Sequence, residues 1–158
     1  MNAVKTIAFM GLMHGVLTAY LPLLVGSTDP ARVDPGYARY PAPLLWFVGA
    51  AVIVWCSAEL VRRGNGTPVH FDPPKVMVVT GLYRYVRNPI YVGALCVILG
   101  SALWFGSPLL IVYVLFAWLV FHALIVLVEE PILRSTFGAA FEDYRRRVPR
   151  WIPNRRGG

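Results

Sequence analysis

The chain has 158 residues, of which 57% are hydrophobic and only 15% charged. A water-soluble domain of this length carries roughly a quarter charged residues, so the composition points instead to an integral membrane protein of one domain. The net charge of +7 does not point to nucleic acid. Its Lys and Arg flank the apolar runs, where insertion bias and anionic headgroups put them anyway, and no stacking platform or groove-reading motif accompanies them.

Four apolar runs approach the roughly 20 residues that cross a hydrocarbon core of about 30 Å. Each is predicted to be helical, because lipid offers the backbone no hydrogen-bond partner. The first runs from about Val4 to Val25. Lys5 ahead of it also suits a signal peptide, but the run is too long for a typical signal core and lacks a small-x-small cleavage site, so a retained helix is expected. His14 within it reads as a packing or interfacial residue, since no metal-binding partner stands at helical spacing. In the loop that follows, Tyr37, Tyr40 and Trp46 suit an interfacial aromatic belt.

The second run, about Pro43 to Val61, contains Glu59 one turn before Arg62 and Arg63, with which it can pair. Cys56 and, in the third run, Cys96 have no metal spacing and read as inert packing. The prolines and glycines of the 64–74 loop forbid regular structure. That loop suits a lid or access wall over a site, or a passive spacer. The third run, Ile90 to Phe105, and the fourth, about Pro108 to Val128, are joined by Gly106-Ser107-Pro108 and should form a tight antiparallel hairpin. Beyond it, Phe137, Phe141, Tyr144 and Val148 share one face of an amphipathic surface helix that Val148-Pro149 ends.

Lys and Arg cluster after the second run (Arg62, Arg63, Lys75, Arg84, Arg87) and after the fourth (Arg134, Arg145, Arg146, Arg147, Arg150, Arg155, Arg156). Both termini are therefore expected on the cytoplasmic side. The expected architecture is an all-α, multi-pass integral membrane protein with about four transmembrane helices and a C-terminal amphipathic helix. Residues 1–63 form an N-terminal hairpin in it, and residues 64–158 a C-terminal region that carries the chemistry.

Two segments gather costly side chains at a membrane boundary, which marks a site. In the first, Gly81 to Gly93, Pro89 is placed to start a helix. The unpaired N–H groups of that helix end, beside Arg87, suit the carboxylate or phosphate of a small ligand. A missing side chain at Gly93 would admit a ligand or a neighbouring helix. The second segment is Glu129-Glu130, expected at the end of the fourth helix. Two adjacent carboxylates at a helix C-terminus oppose the dipole and each other. Arg134, Arg87, Arg147 or a bound cation would compensate them. His122, two turns earlier, reads as packing or cavity lining. No metal-ligating cluster is visible.

These residues resemble those of the integral-membrane isoprenylcysteine carboxyl methyltransferases and the related phospholipid methyltransferases. The resemblance rests on Gly81-x-Tyr83-x-x-x-Arg87-Asn88-Pro89-x-Tyr91-x-Gly93, and on Glu129-Glu130-x-x-Leu133-x-x-x-Phe137-Gly138-x-x-Phe141-x-x-Tyr144-x-x-x-Val148-Pro149. It covers about half the chain, from Gly64 to Pro153. It implies S-adenosylmethionine bound on the cytoplasmic side, with Arg87, Asn88, Pro89, Tyr91, Gly93, Glu129 and Glu130 on the cofactor side. It also implies that Arg147 lies near the substrate carboxylate and the methyl-transfer site, which makes Arg147, with Arg87 on the cofactor side, the candidate catalytic residues. Tyr144 and, from its place in the fourth run, His122 are expected as substrate-side walls. Asn88 stands where the eukaryotic enzymes have His, so no acid–base role is expected there.

Such a family acts on a lipophilic or lipid-modified acceptor. Methyl transfer from a sulfonium needs orientation and water exclusion rather than a strong base, which suits the inventory. Three alternatives stand beside this reading. A phospholipid N-methyltransferase would need a neutral amine acceptor, and a sterol-reductase relative would need a nicotinamide cofactor. A small four-helix transporter would need an ionisable residue deep in a helix. With the carboxylates expected at helix ends, His14 and His122 are its candidates.

Overall fold

The computed structural model describes residues 15–64 and 76–153, and among these every regular element is helical. His14 and most of the 64–74 loop lie outside the described residues. Helix α1 (Gly15–Thr28) leads to α2 (Ala42–Arg63), α3 (Pro89–Phe105) and α4 (Pro108–Leu124). A π-helical turn, Ile125–Glu129, joins α4 to α5 (Glu130–Phe137), and α6 (Ala139–Arg147) follows Gly138. Short 3-10 turns lie at Gly36–Arg39 and Gly81–Arg84.

Two stretches, Gly36–Arg63 and Pro108–Phe137, are long and apolar enough to cross a membrane, while Gly15–Thr28 and Pro89–Phe105 are shorter apolar helices. The two long ones bury little of their surface within the protein. Phe47, Val54, Leu115, Phe116 and Leu127 are each at least 60% exposed. A water-soluble core helix would hide such side chains; here they form a surface suited to lipid.

The inner packing depends on glycine. A Cβ on Gly49 of α2 would sit 2.5 Å from the Gly93 carbonyl oxygen, and one on Gly93 would sit 2.8 Å from that of Gly49. The backbones of α2 and α3 therefore touch directly, as small residues allow between membrane helices. Further along, Trp46 donates its indole N–H to Ser101 Oγ (3.2 Å) and packs against Trp104. It is thus partly taken into the helix pair. The hairpin of α3 and α4 closes through Ala94 and Ile98 against Ala117 and Phe121, as its short turn requires.

At the opposite end from Arg63, Asp29 is 5% exposed and pins the chain. Its carboxylate accepts from the Ser107 hydroxyl and from the N–H groups of Ala31 (2.9 Å) and Leu109 (3.3 Å). Gly106 in the same turn has φ 59°, and a Cβ there would lie 2.1 Å from the Val33 carbonyl oxygen, so only glycine fits. The Ser107 bond, then that from Ala31, holds the Asp29 carboxyl below its ordinary value of 3.8. A depressed folded-state value means stability that is present above that ordinary value and lost as pH falls through the folded one. Wild-type melting temperature should therefore drop more between pH 6 and pH 3 than that of Asp29→Asn. Parallel curves would show that the carboxylate contributes nothing.

Two expectations need correction. The fourth helix does not stop near Val128: Pro108–Phe137 is one continuous run of 30 residues. Glu129 and Glu130 consequently lie inside it, at the π turn and the start of α5, and not at a helix C-terminus. Pro131 does not break the run, because the widened turn before it already lacks the α-type hydrogen bond that proline would remove. The amphipathic helix is likewise shorter than its apolar stripe. Gly138 separates Phe137, at the end of α5, from Phe141, Tyr144 and Val148, yet all four pack together with Leu133 and Met77.

Candidate functional site

The polar segment before α3 folds back on itself. Thr80 donates its hydroxyl hydrogen to Glu59 Oε2 (2.9 Å), and Arg63 pairs with the same oxygen (3.1 Å). Helix α2 thus tethers the turn that starts the segment. Tyr83 is buried, and its carbonyl accepts from the Tyr144 hydroxyl (2.7 Å). Burial pushes both phenols well above their ordinary value, so they stay neutral donors. Tyr144, expected as a site wall, is the tie between α6 and this corner.

Arg87 and Glu130 meet at 2.9 Å (Nη1 to Oε1), with side chains 10% and 11% exposed. Arg150 grips the same carboxylate with two bonds, Nε to Oε1 at 2.8 Å and Nη2 to Oε2 at 3.0 Å. Tyr91 donates its hydroxyl hydrogen to the Glu129 carboxylate, and its ring packs 4.8 Å from that of Phe121. Segments 38 and 43 residues apart in sequence are therefore joined side chain to side chain.

One carboxylate shared by two guanidiniums leaves one positive charge in excess. Burial pulls the Arg87 guanidinium below its usual value, with the Glu130 charge opposing that fall, and it remains a cation. Its Nε is buried with no hydrogen-bond partner. An orphaned donor of this kind asks for an explanation, and a ligand oxygen is one that fits an electropositive site.

Glu130 is thus compensated by Arg87, one of the cations considered from sequence. Arg134 instead pairs with Glu142 (2.7 Å), which also holds Arg145 (2.7 Å). Arg147 is exposed on α6 and donates from Nε to the Asp143 carbonyl oxygen (3.2 Å). The arginine that does reach the carboxylate, Arg150, escaped the sequence reading. It sits in irregular chain after Pro149, where no periodicity signals a partner. An Arg-Trp pair following a proline in a polar tail was the available hint.

The segment 148–151 is a strap across the site. Its Pro149 carbonyl oxygen accepts from the Arg87 N–H (2.9 Å), and its Arg150 carbonyl oxygen accepts from the Asn88 side-chain amide (3.2 Å). Asn88 thus holds backbone, a role that needs a donor and no titration. Pro89 begins α3 as expected, and Gly93 meets the neighbouring helix. Trp151 donates its indole N–H to His122 Nδ1 (3.2 Å).

The π turn explains how one short strap reaches both His122 and Glu130. Eight residues of regular α-helix turn through about 800°, leaving the two side chains roughly 80° apart around the axis. A π turn takes one extra residue into its winding and brings them back onto one face.

The sequence model of the phospholipid methyltransferase family matches residues 38–140. This span takes in α2, which lies outside the Gly64 to Pro153 resemblance, and ends before the strap. Among curated relatives, a protein-S-isoprenylcysteine O-methyltransferase of Schizosaccharomyces pombe is 38% identical over 79 residues, covering 49% of this chain and 33% of the relative. A probable protein-S-isoprenylcysteine O-methyltransferase of Oryza sativa subsp. japonica is 30% identical over 120 residues, covering 68% of this chain and 62% of the relative. A methanethiol S-methyltransferase of Crocosphaera subtropica is 32% identical over 89 residues, covering 55% and 31%. The match thus spans between about a third and three-fifths of the length of these relatives. With its arginine–proline corner and acidic pair joined in space, and with the family match running over most of its length, the chain belongs to the phospholipid methyltransferase family.

Proposed function

We propose that this chain is an integral-membrane methyltransferase that uses S-adenosylmethionine to methylate a lipophilic or lipid-modified acceptor, in the manner of the isoprenylcysteine carboxyl methyltransferases. The observation that carries the reading is the meeting of Arg87 with Glu130 and of Tyr91 with Glu129. In this reading all four apolar helices cross the bilayer, both termini are cytoplasmic, residues 1–63 are the supporting hairpin and residues 64–158 form the catalytic region.

The residues suit the donor. The net positive charge of Arg87, Glu130 and Arg150, with the orphaned Arg87 Nε, suits its carboxylate. Glu129, oriented by Tyr91, suits its ammonium or its sulfonium. When bound, the donor supplies a methyl group already activated for in-line displacement. The protein's share is to orient both reactants and exclude water. Asn88 and Pro89 set the corner, and Gly93 brings α3 against α2. Tyr144 holds the corner from outside, and Arg147 and His122 are left for the acceptor side.

Glu129→Gln removes a charge while keeping shape and a hydrogen-bond acceptor for Tyr91. S-adenosylmethionine affinity measured by calorimetry should fall about tenfold, the equivalent of about 1.4 kcal/mol. Unchanged affinity, or preferential binding of a nicotinamide cofactor, would overturn the reading. The description of the matched family favours one second reading, a phospholipid N-methyltransferase. Turnover of an amine-headgroup lipid and not of an isoprenyl-cysteine carboxylate would select it.

A further inference from the structure

The strap places Trp151 against His122 in a way that decides which imidazole nitrogen carries the proton. The indole N–H can only donate, so the His122 Nδ1 that receives it at 3.2 Å must present a lone pair. The neutral ring then carries its hydrogen on Nε2. Trp151 lies side by side with the imidazole, 22° from its plane with centroids 6.3 Å apart, and Trp118 packs 5.5 Å from it. Two indoles and one hydrogen bond therefore hold the ring, which is only half-buried. Trp151 is itself fixed by its neighbour Arg150, whose side chain is clamped on Glu130 and whose carbonyl is held by Asn88.

We propose that Trp151 is a positioning residue that locks His122 in the Nε2–H tautomer, so that His122 offers a hydrogen-bond donor to an anionic acceptor, a carboxylate or a thiolate. This rests on the methyltransferase reading and goes beyond it in giving Trp151 and His122 a part in holding the acceptor. A locked donor favours an anion that already owns its attacking lone pair. It gives no help to an ammonium, which must first lose a proton and would meet an N–H instead of a base.

The test uses the full chain in nanodiscs with 15N-labelled histidine. The chain has three histidines, so subtraction of a His122→Gln spectrum assigns the His122 signals. Wild type should show a protonated Nε2 and an unprotonated Nδ1, and Trp151→Phe, which keeps an aromatic ring but no N–H, should show a tautomer mixture. An Nδ1–H tautomer in wild type, or no change in Trp151→Phe, overturns the lock. In turnover, Trp151→Phe should lower kcat/KM for an isoprenyl-cysteine carboxylate about tenfold and leave the S-adenosylmethionine Kd unchanged. His122→Gln, which retains a donor near the Nε2 position, should keep more activity than His122→Leu. Equal rates in those two variants overturn the donor role. If no acceptor is turned over at all, the methyltransferase reading fails, while the tautomer spectra still decide the lock.

Discussion

Replacing Glu130 by alanine is expected to destabilise the protein by about 3 kcal/mol and to abolish S-adenosylmethionine binding together with it. The stability loss follows from what the substitution leaves behind. Arg87 is a guanidinium with a side chain 10% exposed, and Glu130 is the one carboxylate that touches it among the described residues. Removing one partner of a buried pair typically costs 3–5 kcal/mol, because the other charge stays desolvated and uncompensated. The lower end applies because Arg150, 26% exposed, can turn toward water. Alanine at 130 is therefore a poor probe of the cofactor by itself.

The separating variant replaces the whole cluster, Arg87→Met with Glu130→Leu and Arg150→Met. Apolar replacement of a complete buried ion cluster is often neutral or stabilising. The triple variant should melt close to wild type and bind no S-adenosylmethionine. If it is stable and still binds with wild-type affinity, the cluster is structural only and the cofactor assignment is lost.

Gly93→Leu is expected to cost about 3 kcal/mol and to weaken cofactor affinity without touching a charged group. A Cβ alone at this position comes within 2.8 Å of the Gly49 carbonyl oxygen. Backbone cannot step aside as a flexible side chain can, so α2 and α3 must separate. Overpacking a tight contact costs about 1–3 kcal/mol, and a leucine facing backbone lies at the upper end. Because α3 begins at Pro89 and carries Tyr91 in its first turn, its displacement also moves Tyr91 off Glu129. Gly93→Ala should show both effects at lower amplitude, and Gly49→Ala should match it from the other helix. A Gly93→Leu protein with unaltered melting and affinity would mean that the two helices do not cross there.

Much of this protein is legible in its sequence. Helix type and rough extent follow from long apolar runs in a chain too poor in charge to cover a water-soluble surface. The hairpin turn at Gly106 to Pro108 follows from residues that permit little else. The pairing of Arg87 with Glu130 was one of several compensations open to an acidic pair, and charge balance alone narrowed them to a few cations. Gly93 was read as admitting either a ligand or a helix, and Gly49 across the interface decides between them.

What stayed hidden has a common physical cause. Winding is set by tertiary packing as well as by propensity, so the π turn that carries α4 into α5 leaves no mark on apolar periodicity. Without it, Glu129 and Glu130 looked like the end of a helix, and Glu130 and His122 did not share a face. Arg150 and Trp151 sit in irregular chain, where contacts have no period to betray them. The sequence by itself determined an all-helical apolar chain, the two polar segments of the site and the family signature, because these depend on local composition and order. Only the tertiary structure decided which arginines share Glu130, which helix fills the gap at Gly93 and what the tail after Pro149 holds. Those choices depend on distances between residues far apart along the chain, and a linear pattern carries no information about such distances until the backbone has closed on itself.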